Sequence, residues 1–212
     1  AVSASVGGVG STIHSHLFFR SLYQPAAAFG ELSRREPAPL GVFFGHSLWL
    51  LLLPPVFAYV GGANLGWRLG AEQPLLLPPD ELLLISAGYF LTLVFGLFST
   101  ALISRWMAAT YAANASFGRH LALITMVGEP LAVASAAHLF PNVLVQVLVL
   151  IPTLIWSLNL LYRGIPIALE TPPERGMLMA SSLVAWLMVA AVSLLGISMS
   201  LWVLGVGPLL GV

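Results

Sequence analysis

Glu129 is the one acid placed inside an apolar run of this sequence, near the middle of residues 118 to 139 and directly before Pro130. An acid buried in hydrocarbon is costly, which makes it a functional-site candidate by default. Three uses are open to it. A neutral Glu129 could hydrogen-bond to Thr125, Gln146, Ser157 or Asn159, or to carbonyls freed by Pro130, and serve packing. A titrating Glu129 would handle a proton or ion, and one facing outward would meet a partner. The sequence favours the first, because only neutral hydrogen-bonding residues are candidates to surround it and the nearest charges are about half a helix away.

The histidines invite a metal or haem reading. His46 falls near one end of its apolar run and His138 near the far end of another, so they are expected at opposite faces. His14, His16, His46 and His120 gather toward one side, yet no acid or thiol accompanies them at ligand spacing. No metal site is expected. There is no Cys, so thiolate chemistry and Cys-ligated clusters are excluded. No nucleophile and base pair, phosphate-binding Gly loop or paired carboxyls stand within the apolar runs. The residues provide no catalytic machinery and no cofactor site.

The elements that carry Glu129 follow from composition. The 212 residues are 58% hydrophobic and 8% charged, against about 25% charged in an ordinary soluble domain. Such a chain cannot cover itself with polar groups. Its apolar residues fall into five runs, roughly 40 to 61, 82 to 105, 118 to 139, 142 to 162 and 177 to 204, each near the ~20 residues that cross a bilayer as helix. The fold class expected is all-α: a polytopic integral membrane protein of five transmembrane helices. Only Phe140 and Pro141 part the third and fourth runs, which predicts a tight helical hairpin. Residues 62 to 81, with Gly61, Gly62, Gly66, Gly70, Pro74, Pro78 and Pro79, predict a loop.

Ahead of the runs, residues 1 to 16 are small, uncharged and without the marks of a secretory signal, and read as a flexible tail. In residues 17 to 39, Phe18, Leu22, Phe29 and Leu32 recur at helical spacing with Arg20, Glu31, Arg34 and Arg35 between them. This predicts a short amphipathic segment in the membrane interface, broken at Pro25. With the N-terminus inside, seven of the eight Arg residues are cytoplasmic and only Arg68 is outside, as the positive-inside rule demands. The C-terminus is then periplasmic. Net charge is zero, so nucleic acid is not an expected partner.

Two local patterns concern packing. Gly88, Thr92, Gly96, Thr100 and Ser104 repeat every fourth residue, a stripe that lets another helix approach closely. It predicts packing against another span of the same chain, or else against a partner. Gly196 and Ser200 form a weaker version. Between the fourth and fifth runs, Gly164 and Pro166 are expected to end one helix. Thr171 would cap the next, with Pro172 in its first turn and Glu174 as the capping-box acid.

The stretch Leu160 to Gly176, LLYRGIPIALETPPERG, resembles the Leu-Tyr-x-Gly-hydrophobic-Pro signature and the Pro-Glu-x-Gly helix entry of the Yip (Ypt-interacting protein) domain family, in its bacterial inner-membrane branch. The matching residues are Tyr162, Gly164, Pro166, Pro173, Glu174 and Gly176. Pro25, Phe29, His46, Pro54, Gly61, Gly66 with Trp67, Leu139 to Pro141, and Leu201 and Trp202 with Gly205, Gly207 and Pro208 add support in the same order. The resemblance covers about Leu17 to Pro208 and is taken as a 40 to 208 membrane domain. It implies five spans, a cytoplasmic N-terminus and no enzymatic activity. Glu129 departs from the family pattern, which has a small or hydroxyl residue there, and so inherits no role.

The function expected is that of a non-catalytic accessory or assembly subunit, a scaffold packing beside a larger membrane complex, with lipid and other integral membrane proteins as partners. One alternative is an oligomeric transporter or channel for a proton, ion or small solute centred on Glu129. Another is membrane shaping or lipid binding through the Arg-rich segment.

Overall fold

Proline starts most of the helices. In the computed structural model, which describes residues 15–66, 76–140 and 142–204, α1 is Ser15–Ser21 and α2 is Pro25–Ser33. Five longer helices follow: α3 Pro39–Leu65, α4 Pro79–Met107, α5 Phe117–Leu139, α6 Val143–Ala168 and α7 Pro173–Val203. A proline lacks the N–H that the first turn cannot use and brings its φ already set, so Pro25, Pro39, Pro79 and Pro173 each nucleate a start. α5 is instead capped by Ser116, whose Oγ accepts from Arg119 N, and α6 by Asn142, whose Oδ1 accepts from Leu144 N and Val145 N. Gly66, at φ 67°, ends α3.

The chain is an all-α polytopic membrane protein. Its five long helices are each long and apolar enough to span, and each outlasts the apolar run that announced it. The extra turns are polar or Gly/Pro-bearing ends. α6 runs through Gly164 and Pro166 to Ala168 instead of stopping at them, because a proline removes one hydrogen bond without forbidding the next turn. The cap expected at Thr171 is also corrected. α7 begins one residue later than that cap requires, at Pro173, and Thr171 Oγ1 donates to the Tyr111 carbonyl at 2.6 Å.

α5 is the axial helix. More than half of its span is buried, against a third or less in each other span, and it packs against α1, α2, α3, α4 and α6. Its N-terminal end meets one end of the bundle through Arg119, which is buried. Arg119 Nε donates to the Arg35 carbonyl and Nη1 to Glu170 Oε1 at 3.0 Å, and Nη2 pairs with Glu36. At the opposite end Gly61 of α3 lies against the His138 carbonyl so closely that a Cβ would overlap it. The N-terminal segment, the 108 to 116 turn and the 169 to 172 turn therefore share one end of the bundle. Expectations that fall on residues 1–14, on 67–75, on Pro141 or on 205–212 lie outside the described residues.

α1 and α2 correct the picture of a segment lying on lipid. Phe18, Ala28, Phe29 and Leu32 are fully buried, and α2 sits against α5 and α6. The amphipathic spacing is real, but its apolar face has a protein groove to fill. Gly164 of α6 opens that groove, since a Cβ there would come within 2.7 Å of Leu123 Cδ1 and 2.9 Å of Phe29 Cζ. Arg35 and Arg20 both pair with Glu31, Arg20 at 3.8 Å, and Arg34 is exposed. One acid shared by two of three arginines leaves the segment net positive, so its charge still suits anionic lipid.

Candidate functional site

Three elements converge on Glu129. α5 supplies the carboxyl, fully buried, with Pro130 next in the helix interior. α1 supplies Ser21, also fully buried, whose hydroxyl donates to Glu129 Oε2 at 3.0 Å. α3 supplies His46, whose Nε2 stands 3.9 Å from Glu129 Oε1. The Phe18 ring of α1 stacks on that imidazole, centroids 3.7 Å apart and planes 20° apart, and Phe19 meets it edge-on at 5.9 Å. Glu129 Oε1 and His46 Nε2 are both buried and both without a hydrogen-bond partner.

His46 reaches this position through a local irregularity. Residues Phe43–Ser47 form a π-helical turn within α3, and the extra residue of such a turn re-aims the side chains it carries. Ser47 follows His46 inward and shares a 2.7 Å hydrogen bond with Thr125, one turn along α5 from Glu129. Nearer the start of α5, His120 Nδ1 is 2.7 Å from Ser104 Oγ of α4, and His120 Nε2 is buried with no partner. One side of α5 thus carries a file of two buried polar groups one turn apart, Thr125 and Glu129, while His120 stands on the opposite side, toward α4. Polar groups in hydrocarbon must be satisfied inside the protein, and most of this file is satisfied by Ser residues of neighbouring elements.

The partners expected for Glu129 are corrected. Its hydrogen bond goes to Ser21, while Thr125 is taken by Ser47 and by its own helix at the Leu121 carbonyl. Gln146 and Asn159 make no hydrogen bond to Glu129. Ser157 Oγ is buried without a partner. Sequence reasoning missed Ser21 and His46 because both were counted with other features, one with the amphipathic segment and one with the cytoplasmic histidines. The available signal was Ser21 standing three residues after Phe18, on the buried face of α1. His138, at the other end of α5, is 3.5 Å from Tyr89 Oη. Among the described residues, no group of three or more His, Cys, Asp or Glu is arranged to hold a metal.

The small-residue stripe of α4 divides in two. Thr100 and Ser104 are buried against α5. Gly88 and Gly96 have nothing within 4 Å of a Cβ position, and Thr92 is exposed, its hydroxyl turned back to the Gly88 carbonyl. The expectation that the whole stripe packs within the chain is therefore corrected: among the described residues only its last two members, Thr100 and Ser104, are covered. Leu97, which the stripe would leave facing lipid, is 8% exposed and in the core. Gly196 of α7 is equally open.

Over residues 19–209 the sequence matches the model of the Yip1 domain. The chain belongs to the Yip1 domain family. Inner membrane protein YohC of Escherichia coli K12, and its counterpart in strain O6:H1 (CFT073), are each 27% identical to it over 157 residues, covering 74% of this chain and 80% of the relative. No solved structure matches. Within this Yip1 domain the signature residues build the joint between α6 and α7. A Cβ on Gly176 would touch Pro166 at 3.0 to 3.2 Å, the Thr171 N–H donates to the Pro166 carbonyl, and Tyr162 Oη is 2.9 Å from Ser181 Oγ. Glu174 is exposed at the first turn of α7, where its charge complements the helix dipole. The signature is a packing device, and the Glu129 cluster lies apart from it.

Proposed function

We propose that this Yip1-domain protein is a non-catalytic subunit of the bacterial inner membrane, N-terminus in the cytoplasm, that packs beside other integral membrane proteins. The observation that carries the reading is the open face of α4 at Gly88, Thr92 and Gly96. Helices associate in lipid by close packing of small residues, not by hydrophobic drive, and this face has no neighbour among the described residues. Purification in several mild detergents through a C-terminal tag tests it. A co-purifying membrane protein, lost on Gly96→Leu, is the expected result; a clean monomer throughout would oppose the proposal.

A paired stability measurement separates the two sides of α4. Gly96→Leu should leave the thermal stability of the isolated chain unchanged, because the new side chain meets nothing. Leu97→Ala should lower it, by about 2–5 kcal/mol for a buried leucine. Equal effects would mean that the open face is not open.

A second reading, an oligomeric carrier of protons or small ions, is favoured by the unpartnered Glu129 and His46 atoms in the bundle interior. Flux through reconstituted vesicles is its test, and absence of flux above background would dispose of it.

A further inference from the structure

We propose that Ser21, His46 and Glu129 form a buried binding site for a single proton, with the α1 and α2 hairpin as its cover. The site stands on geometry independent of the packing role of α4. Glu129 Oε1 and His46 Nε2 face each other at 3.9 Å, each buried and each lacking any other partner. With no added proton the pair carries one negative charge, whichever tautomer the imidazole adopts. With one added proton it is neutral as acid and imidazole, or balanced as carboxylate and imidazolium, and a donor then faces an acceptor.

Among the described residues, no other group can supply that compensation. On α1, Arg20 is turned to Gln24 and Glu31. On α2, Glu31 is held by Arg20 and Arg35. On α5, Arg119 is ten residues away, about 15 Å along the helix, and is held by Glu36 and Glu170. On α4, Arg105 donates to the Ala115 carbonyl, and Arg163 of α6 is exposed. Among the described residues, His46 is the titratable side chain that faces Glu129.

The cover is specific to the site. Ser21 supplies the hydrogen bond to Oε2, and Phe18 lays its ring on the imidazole, a placement that favours a cationic imidazolium over its face. Both come from α1, which packs against α2, and α2 is seated on α6 at Gly164 by Phe29. Loss of the proton leaves a charge in a buried site, and lifting of α1 would uncover that charge to water. Proton release and opening of the hairpin are therefore one event.

Two measurements on the purified full chain in lipid nanodiscs test this. Infrared spectra should show one carboxylic-acid carbonyl band that titrates with pH, is absent in Glu129→Gln, and moves its midpoint in His46→Gln. Should His46→Gln fail to fold, Ser21→Ala gives the same reading. Hydrogen exchange in residues 15 to 33, corrected for intrinsic chemistry, should rise with pH by up to about tenfold per unit below that midpoint and level off above it, the dependence for release of one proton on opening. Glu129→Gln should flatten the dependence. A band that does not titrate, a midpoint indifferent to the His46 and Ser21 variants, or hairpin exchange that ignores pH would each overturn the proposal.

Discussion

Replacing Gly118 with valine should leave almost no folded protein. Gly118 opens α5, and a Cβ at that position would overlap the Pro37 carbonyl oxygen and crowd Pro39 Cδ as well. The obstacle is backbone, so no flexible side chain can move aside. The two neighbouring segments are themselves fixed, one by the start of α3 at Pro39 and the other by the ties of Arg119 to Arg35, Glu36 and Glu170. Overpacking in a core costs about 1–3 kcal/mol where side chains can adjust, and occasionally more; this site belongs at or above the upper end. Gly118→Ala should already reduce the yield of monodisperse protein, and valine should abolish it. Gly128, which has nothing within 4 Å, is the control: Gly128→Ala should be silent in the same size-exclusion assay.

Glu129→Ala should destabilise the chain by about 1–3 kcal/mol, the cost of stripping a buried group of its hydrogen-bond partner. Ser21 would then hold a buried hydroxyl with nothing to receive it, and His46 would lose the one polar atom facing it. Glu129→Gln should be tolerated, since the amide oxygen accepts from Ser21 and the amide N–H can donate toward His46. Thermal unfolding monitored in detergent distinguishes the two. If Gln were as damaging as Ala, the site would depend on a property of the acid beyond its hydrogen bonds, at the level of the fold itself.

Much of this architecture was legible because lipid imposes simple rules. Five apolar runs in a chain with 8% charge could only be spans, and proline and glycine marked most of their ends. The same rules explain what was not legible. In an apolar helix the outward and inward faces have the same composition, so nothing in the sequence of α4 says that Leu97 is buried while Gly88 and Gly96 are open. The partners of Glu129 were hidden for another reason. Ser21 is 108 residues away in the chain, in a segment whose alternation of apolar and basic residues fits a lipid surface and a protein groove equally well. His46 needed a π turn to aim it, and single irregular turns leave no mark in the periodicity of an apolar run.

The groove that receives Phe29 has walls from α5 and α6, and Gly164, which makes room for the ring, lies near the end of α6. During synthesis α2 is complete when the ribosome has passed Ser33, but its seat is finished only when Ala168 has been added, about 135 residues later. At ~5–20 residues per second that is roughly 7 to 27 seconds. Throughout this interval Phe29 lacks the α6 wall of its groove, and the bilayer interface is the nearest apolar surface. The lipid-seeking character written into residues 17 to 39 therefore describes the nascent chain, which waits on the membrane before it docks.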